Sequence, residues 1–276
     1  MEIALTMIQA YNRLGYRAYN VTSHDFAGGP DNVRRLANMA EFPFVSANIV
    51  DSMTRKPIFK PYIIEKVGGK KFGIIGVTAS NNVQIKGLTI ADIGKSIQSY
   101  LPEIRRKADF VILMAYLQRD DEIKLFAEQI DVDFILTSGT FRYSRNLNKK
   151  NGMLIARCGN IGKYIGAITF DLQDENRELT DISNVQIQLQ YAEKRLNSFA
   201  SAADGKPLEE FYADEPGILR TIKSLQTQIQ VLNSEATSVV NPITYNLIEL
   251  DKSVPDDPAI RSMLKELGKR LSAIQP

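Results

Sequence analysis

The chain has 276 residues, with 34 Lys and Arg against 32 Asp and Glu for a formal charge of +2, room for one large domain or two small ones. Its 44% hydrophobic and 24% charged residues exclude collagen-like, low-complexity and wholly disordered readings; the charge balance argues against a general nucleic-acid binder, and no apolar run reaches the length of a membrane span. One cysteine, Cys158, excludes an internal disulfide and a cysteine-based zinc site, and one histidine, His24, excludes any mechanism needing two histidines on this chain.

Ile3, Met7, Tyr11 and Leu14 share one face of a helix over residues 1–14 that stops at Gly15. Glu2 stands where a signal peptide would be basic, and no apolar core of the right length follows. The expectation is a cytoplasmic chain if it is complete as given, or a piece of a longer exported one. A short strand near 16–21 leads into the polar turn T-S-H-D-F-A-G-G-P. A helix over 31–40 follows, with Asp31 as its N-cap, and then F-P-F-V-S-A-N-I as a buried strand entering a loop. Segments 61–67 and 70–78 flank Gly68-Gly69, a hairpin signal. Residues 91–107 read as a helix carrying Ile93, Ile97, Leu101 and Ile104. D-F-V-I-L-M-A-Y (109–116) is apolar enough for a strand covered on both faces. Residues 119–130 read as helix, 133–136 as another covered strand, and 153–157 and 164–172 as strands around C-G-N-I-G-K-Y. This order predicts an α/β sandwich with a mixed sheet.

The pattern then changes. Ile182, Val185, Leu189, Ala192, Leu196 and Phe199 form one heptad seam, and Ile218, Ile222, Leu225, Ile229 and Leu232 another. Gly205, Pro207, Pro216 and Gly217 break the chain between them, so an antiparallel helical hairpin is expected. Alternation at Val185, Ile187, Leu189 and Tyr191 suits a strand as well. A second apolar flank (Leu208, Phe211, Tyr212, Leu219, Val231) predicts an exposed strip for a second copy or another protein. After Pro242, I-T-Y-N-L-I-E-L reads as a strand, and P-D-D-P opens a last helix with Ile260, Leu264, Leu267 and Leu271 on one face. The expected division is 1–174, 175–237 and 238–276.

His24 and Asp25 lie in a turn after a strand, where ligands of α/β sheets usually bind. Two readings stand: His24 as a general acid or transition-state donor oriented by Asp25, or a turn histidine beside a capping aspartate. Gly159-Asn160-Ile161-Gly162-Lys163-Tyr164 fails the phosphate-loop spacing, has Tyr164 in place of Ser or Thr and precedes a strand, so it reads as a tight turn between strands. Lys70-Lys71 reads as a solvated hairpin tip, and Cys158, at the end of an apolar strand, as a buried, inert thiol.

Six strings in order resemble the metallophosphoesterases of the 5'-nucleotidase type: Y-N-R-L-G-Y-R-A-Y-N-V-T-S-H-D-F-A-G-G, F-P-F-V-S-A-N-I-V, G-G-K-K-F-G-I-I-G-V-T, D-F-V-I-L-M-A-Y, D-V-D-F-I-L-T-S-G-T-F and C-G-N-I-G-K-Y-I-G. The resemblance spans roughly residues 5–172 and implies a metallophosphatase-type α/β sandwich, partial here. It also implies a site with two divalent metals about 4 Å apart that clamp a phosphate and activate water. Its ligand motifs are D-x-H, G-D, the Asn of N-H-E/D, the His of S-H and two His of G-H-x-H. The first two have no counterpart in this chain. Ser23 stands at the Asn position, followed by the retained catalytic His24 and then Asp25. Ala115-Tyr116 replaces S-H, and Gly139 and Phe141 replace the last two histidines, making the mouth more apolar. His24 and Asp25 are therefore the vestigial catalytic candidates, and no metal ligand is carried over.

A subset of this family joins such a domain, with a coiled-coil insertion, to a multihaem cytochrome region. That comparison implies an exported, periplasmic setting and a cytochrome as fused region or partner, although no C-x-x-C-H occurs here to hold a c-type haem. The reading reached is a degenerate, non-catalytic domain for binding, scaffolding or assembly, with no cofactor. The alternative is an active phosphohydrolase with Mn- or Zn-type metals, completed by an N-terminal segment or a partner chain. A plain oligomerisation module is the third. The partner expected is a second copy or another protein on the helical hairpin, with no nucleic acid and no membrane insertion.

Overall fold

The computed structural model of the chain describes residues 1–80, 83–159, 161–174 and 177–274. Asn160 of the 159–164 turn, and residues 175–176 at the start of the expected hairpin segment, lie outside the described residues. The chain divides into two compact units: 1–144 with 148–165 and 249–276, and 145–147 with 166–248.

The first unit begins with α1 (Glu2–Arg13), β1 (Tyr19–Asn20), a 3-10 turn (Ser23–Gly28) and α2 (Pro30–Met39). Next come β2 (Phe44–Val45), β3 (Ile49–Asp51), β4 (Tyr62–Val67), β5 (Lys70–Thr78), β6 (Leu88–Ile90) and α3 (Ile93–Lys107). It continues with β7 (Phe110–Tyr116), α4 (Arg119–Ala127), β8 (Phe134–Ser138), β9 (Asn148–Lys150) and β10 (Met153–Arg157). Helix α2 starts one residue earlier than expected. Gly29 takes the cap position at φ 86°, which glycine reaches freely, and Pro30 supplies the first helical residue. Asp31 is thereby moved into the first turn, where it pairs with Arg34.

Six strands form one mixed sheet in the order β4-β5-β7-β8-β10-β9, parallel from β5 to β10 and antiparallel at both edges. This is the mixed-sheet α/β architecture of the metallophosphatase type. The β4–β5 hairpin closes on Gly68-Gly69, both at positive φ (56° and 83°), with Val67 opposite Lys70. Helices α3 and α4 cover one sheet face, burying Ile97, Leu101, Ile104 and Leu125 against Ile75, Val111 and Leu113. A second layer, the short sheets β1–β2 and β3–β6, carries its own core of Ile8, Val21, Phe26, Val33, Phe44 and Ile49.

Strand β5 is clamped between these layers at two glycines. A Cβ on Gly73 would stand 2.1 Å from Ile104 of α3, and one on Gly76 would stand 2.4 Å from Asn20 Oδ1 and 2.9 Å from the Val45 carbonyl oxygen. Asn20 donates to the Val77 carbonyl at 2.9 Å, and the Ala47 amide donates to the Gly76 carbonyl at 2.7 Å. Strand β7 corrects an expectation. Val111, Leu113 and Ala115 are buried, but Phe110, Ile112, Met114 and Tyr116 on the other face are only half-buried. The second layer is built of strands two or three residues long, too short to cover that face throughout.

The second unit holds β11 (Tyr164–Phe170), β12 (Thr180–Asp181) and β13 (Pro242–Glu249) in a three-stranded sheet, with β13 central. Asn241 organises its loops, accepting from the Gln173 and Asp174 amides at 2.9 and 3.0 Å. Helices α5 (Ser183–Ala202), α6 (Leu208–Phe211) and α7 (Pro216–Ser238) make the hairpin. The alternation at 185–191 therefore resolves as helix, with Ala192, Ile222, Leu225 and Leu232 buried along the seams. Phe211 and Val231 of the second flank are exposed, but Tyr212 is buried: its ring meets Phe199 edge-on at 5.8 Å, and its hydroxyl donates to the Phe199 carbonyl.

Helix α8 (Pro258–Ile274) belongs to the first unit and runs antiparallel to α1. Arg13 meets Asp257 at 3.1 Å, and Arg270 meets Glu2 at 3.0 Å. Among the described residues no helix is long and apolar enough to cross a membrane.

Candidate functional site

Strands β5, β7 and β8 end in register, with Thr78 beside Tyr116 and Tyr116 beside Ser138. Their C-terminal ends form the edge of the sheet where a parallel α/β arrangement offers its crevice. The edge is tied together beyond the ladders: the Ala79 amide donates to the Tyr116 carbonyl at 2.7 Å, and the Leu117 amide to the Ser138 carbonyl at 2.9 Å.

Fully buried Asn48 fixes the end of β5. Its Oδ1 accepts from the Thr78 amide at 3.0 Å, and its Nδ2 donates to the carbonyls of Thr78 at 2.8 Å and Ala91 at 3.1 Å. The Thr78 hydroxyl accepts from the Ser23 amide at 3.3 Å, anchoring the 3-10 turn on the edge. Asn48 and Thr78 lie within the recognised strings, but sequence reasoning did not single them out. The signal available was an amide just after an apolar strand, in the S-A-N link between β2 and β3.

The turn sets the positions of both candidate residues. Asp25 forms a capping box with Thr22, accepting from the Thr22 amide at 2.7 Å and its hydroxyl at 3.1 Å. It also accepts from the Tyr19 hydroxyl at 2.8 Å. Burial, and then the neighbouring Asp25 carboxylate, pushes the Tyr19 hydroxyl well above the usual tyrosine range, so it remains a donor. His24, exposed at the rim, places Nε2 2.9 Å from Tyr116 Oη, with the rings edge-on at 5.4 Å. The turn thus directs Asp25 inward to Thr22 and Tyr19, and His24 outward to the end of β7.

The remaining replaced positions differ in character. Gly139 has φ 103°, and a Cβ there would stand 2.5 Å from the Leu117 carbonyl oxygen, so a glycine fits this turn and a histidine does not. Phe141 is 82% exposed, so its ring faces solvent and does not make the mouth apolar as expected. Strands β10 and β11, which flank the 159–164 turn, belong to different sheets. Half-buried Cys158 sits opposite Tyr143 in an isolated bridge.

Among the described residues the side-chain donors at this edge are the His24 imidazole and the hydroxyls of Tyr116, Thr78, Ser23 and Ser138. Among the described residues no group of three or more His, Cys, Asp or Glu is placed to hold a metal ion. Neutral hydroxyls are weak ligands for Mn or Zn. These residues do not fit the two-metal centre that the resemblance implies.

No family model matches the chain. A 2',3'-cyclic-nucleotide 2'-phosphodiesterase/3'-nucleotidase of Salmonella typhimurium is 35% identical over 124 residues, covering 39% of this chain and 19% of that protein. Protein UshA of Yersinia enterocolitica is 22% identical over 258 residues, covering 79% of this chain and 46% of its own length. The matched regions thus span less than half of these relatives. Among solved structures, a 5'-nucleotidase precursor of Thermus thermophilus aligns over 100% of this chain and 47% of its own, with a TM-score of 0.63 at 19% identity. A 5'-nucleotidase-like structure from Staphylococcus aureus aligns over 95% and 44%, with a TM-score of 0.59 at 15% identity. The cytochrome-fused subset finds no support among these relatives. Over part of its length the chain is homologous to the 5'-nucleotidase-type metallophosphoesterases, and its mixed α/β fold is theirs.

Proposed function

We propose that this chain is a phosphoesterase-like domain without hydrolytic activity, retained for binding or assembly. The observation that carries the reading is the 2.9 Å contact between His24 Nε2 and Tyr116 Oη. Tyr116 stands where the resemblance places a ligand histidine, and its hydroxyl occupies the retained imidazole. A lone histidine contributes on the order of 10²–10⁴-fold to a rate. Cleavage of a phosphate ester at enzymatic speed demands far more, with phosphomonoester hydrolysis among the slowest uncatalysed reactions known. Neutral hydroxyls and one imidazole are a weak donor set for a metal, and without a metal the charge developing on phosphate lacks that stabilisation.

The test combines two measurements on the purified chain: Mn, Zn, Fe and Ca content, and phosphate release from 5'-AMP and 2',3'-cyclic AMP. The expected result is no stoichiometric transition metal and no turnover above background. One or two tightly held ions, or turnover that vanishes in His24→Ala, would instead establish the alternative of an active phosphohydrolase.

A further inference from the structure

The helical hairpin carries two complementary surfaces. On one face, Tyr191, Ala192, Lys194 and Arg195 of α5 and Leu225 and Gln228 of α7 line an open groove of about 550 Å³. Its buried lining residues are Ala192 and Leu225. Tyr191, 72% exposed, stands at the rim with Lys194 and Arg195, and no carboxylate belongs to the lining. At the end of the same hairpin, residues 203–217 carry Asp204, Glu209, Glu210, Asp214 and Glu215 against one cation, Lys206. Phe211, 42% exposed, projects among these carboxylates.

We propose that the Phe211 tip of one copy docks into the Tyr191–Arg195 groove of a second copy. The charge signs complement each other: an aromatic ring among carboxylates meets an aromatic rim with two cations. The tip does not fill its own groove: buried Tyr212 ties it to Phe199, and Phe211 is not part of the groove lining. A groove and a tip on one element also suit reciprocal pairing, in which each copy gives what the other lacks. The proposal is independent of whether the edge at His24 turns over substrate.

Sedimentation velocity of the full chain over a concentration series tests it. The wild type is expected to reach twice the monomer mass at 50 mM salt. Its dissociation constant is expected to weaken at least about 10-fold at 500 mM, where exposed charges are screened. Lys194→Glu with Arg195→Glu in one chain, and Glu209→Lys with Glu210→Lys in another, should each give monomers. All four side chains are exposed, so folding is unaffected, which circular dichroism verifies. An equimolar mixture of the two reversed chains should associate again. A monomeric wild type, variants that dimerise undiminished, or a mixture that stays monomeric would each overturn the proposal, a monomeric wild type leaving the groove to a different protein.

Discussion

Glu122 and Arg157 form the most deeply buried ion pair among the described residues, at 6% and 14% side-chain exposure. The guanidinium reaches both carboxylate oxygens, at 3.3 and 3.1 Å, the Thr137 hydroxyl donates to one of them, and the guanidinium also lies 5.6 Å over the Phe126 ring. Removing one partner of such a pair leaves a charge without water or counter-ion. Arg157→Met is therefore expected to lower stability by about 3–5 kcal/mol, while the double change with Glu122→Leu should recover much of that loss. Urea unfolding of the three variants measures both. Neither residue drew attention in the sequence, because a Glu on a helix and an Arg at a strand end read as solvated charges. His24 was legible as the residue to watch, since it is unique and follows a strand. The resemblance placed Tyr116 at the same site, but not its bond to His24: the two lie 92 positions apart and meet because Ser23 is tied to Thr78 and β5 pairs with β7. For Asp25 the sequence left orienter and cap open, and its recorded bonds are those of a cap.

At the scale of elements, strand β5 is the piece on which the layers register. Gly76 sits under Asn20 and Val45, so Gly76→Ala forces the second layer off the sheet. Over-packing of this kind costs about 1–3 kcal/mol, and trimming the obstructing side chain with Asn20→Ala should return part of it. Chemical denaturation of the single and double variants reads the coupling; additive losses would show that the two positions do not press on each other. The glycines of F-G-I-I-G-V were visible in the sequence, but what they make room for was not, because the neighbours come from residues 20, 45 and 104. Helices with clear three-and-four spacing were legible: α1 and α3 close to their observed bounds, and α5, α7 and α8 by the apolar residues of one face. Strands of two or three residues (β6, β9, β12) were missed, since alternation cannot be read over so few positions. The same limit explains β7: an apolar run does not reveal how completely its far face is covered.

For the whole molecule, the clasp between α1 and α8 is electrostatic at both ends. Asp257 accepts from Arg13 and from the Ala259 and Ile260 amides, and these contacts, Arg13 foremost, hold its carboxyl below the usual carboxylate range. A depressed folded value means stabilisation that is present above the unfolded value, about 4, and lost as pH falls through the folded one. Amides of α1 and α8 are therefore expected to exchange faster with deuterium as the pH drops below about 4, relative to those of β5 and β7. Arg13→Ala should remove most of that pH dependence; an unchanged profile would place the sensitivity elsewhere. The clasp has a further meaning in time. Its partners are 244 residues apart, so at a synthesis rate of about 5–20 residues per second Arg13 is added roughly 12–50 s before Asp257. Throughout that interval α1 can bury Ile8 in the second-layer core, but both ionic contacts with α8 are missing. Helix α1 thus waits on a distant segment for its ionic partners, and until that segment is made the second layer alone holds it.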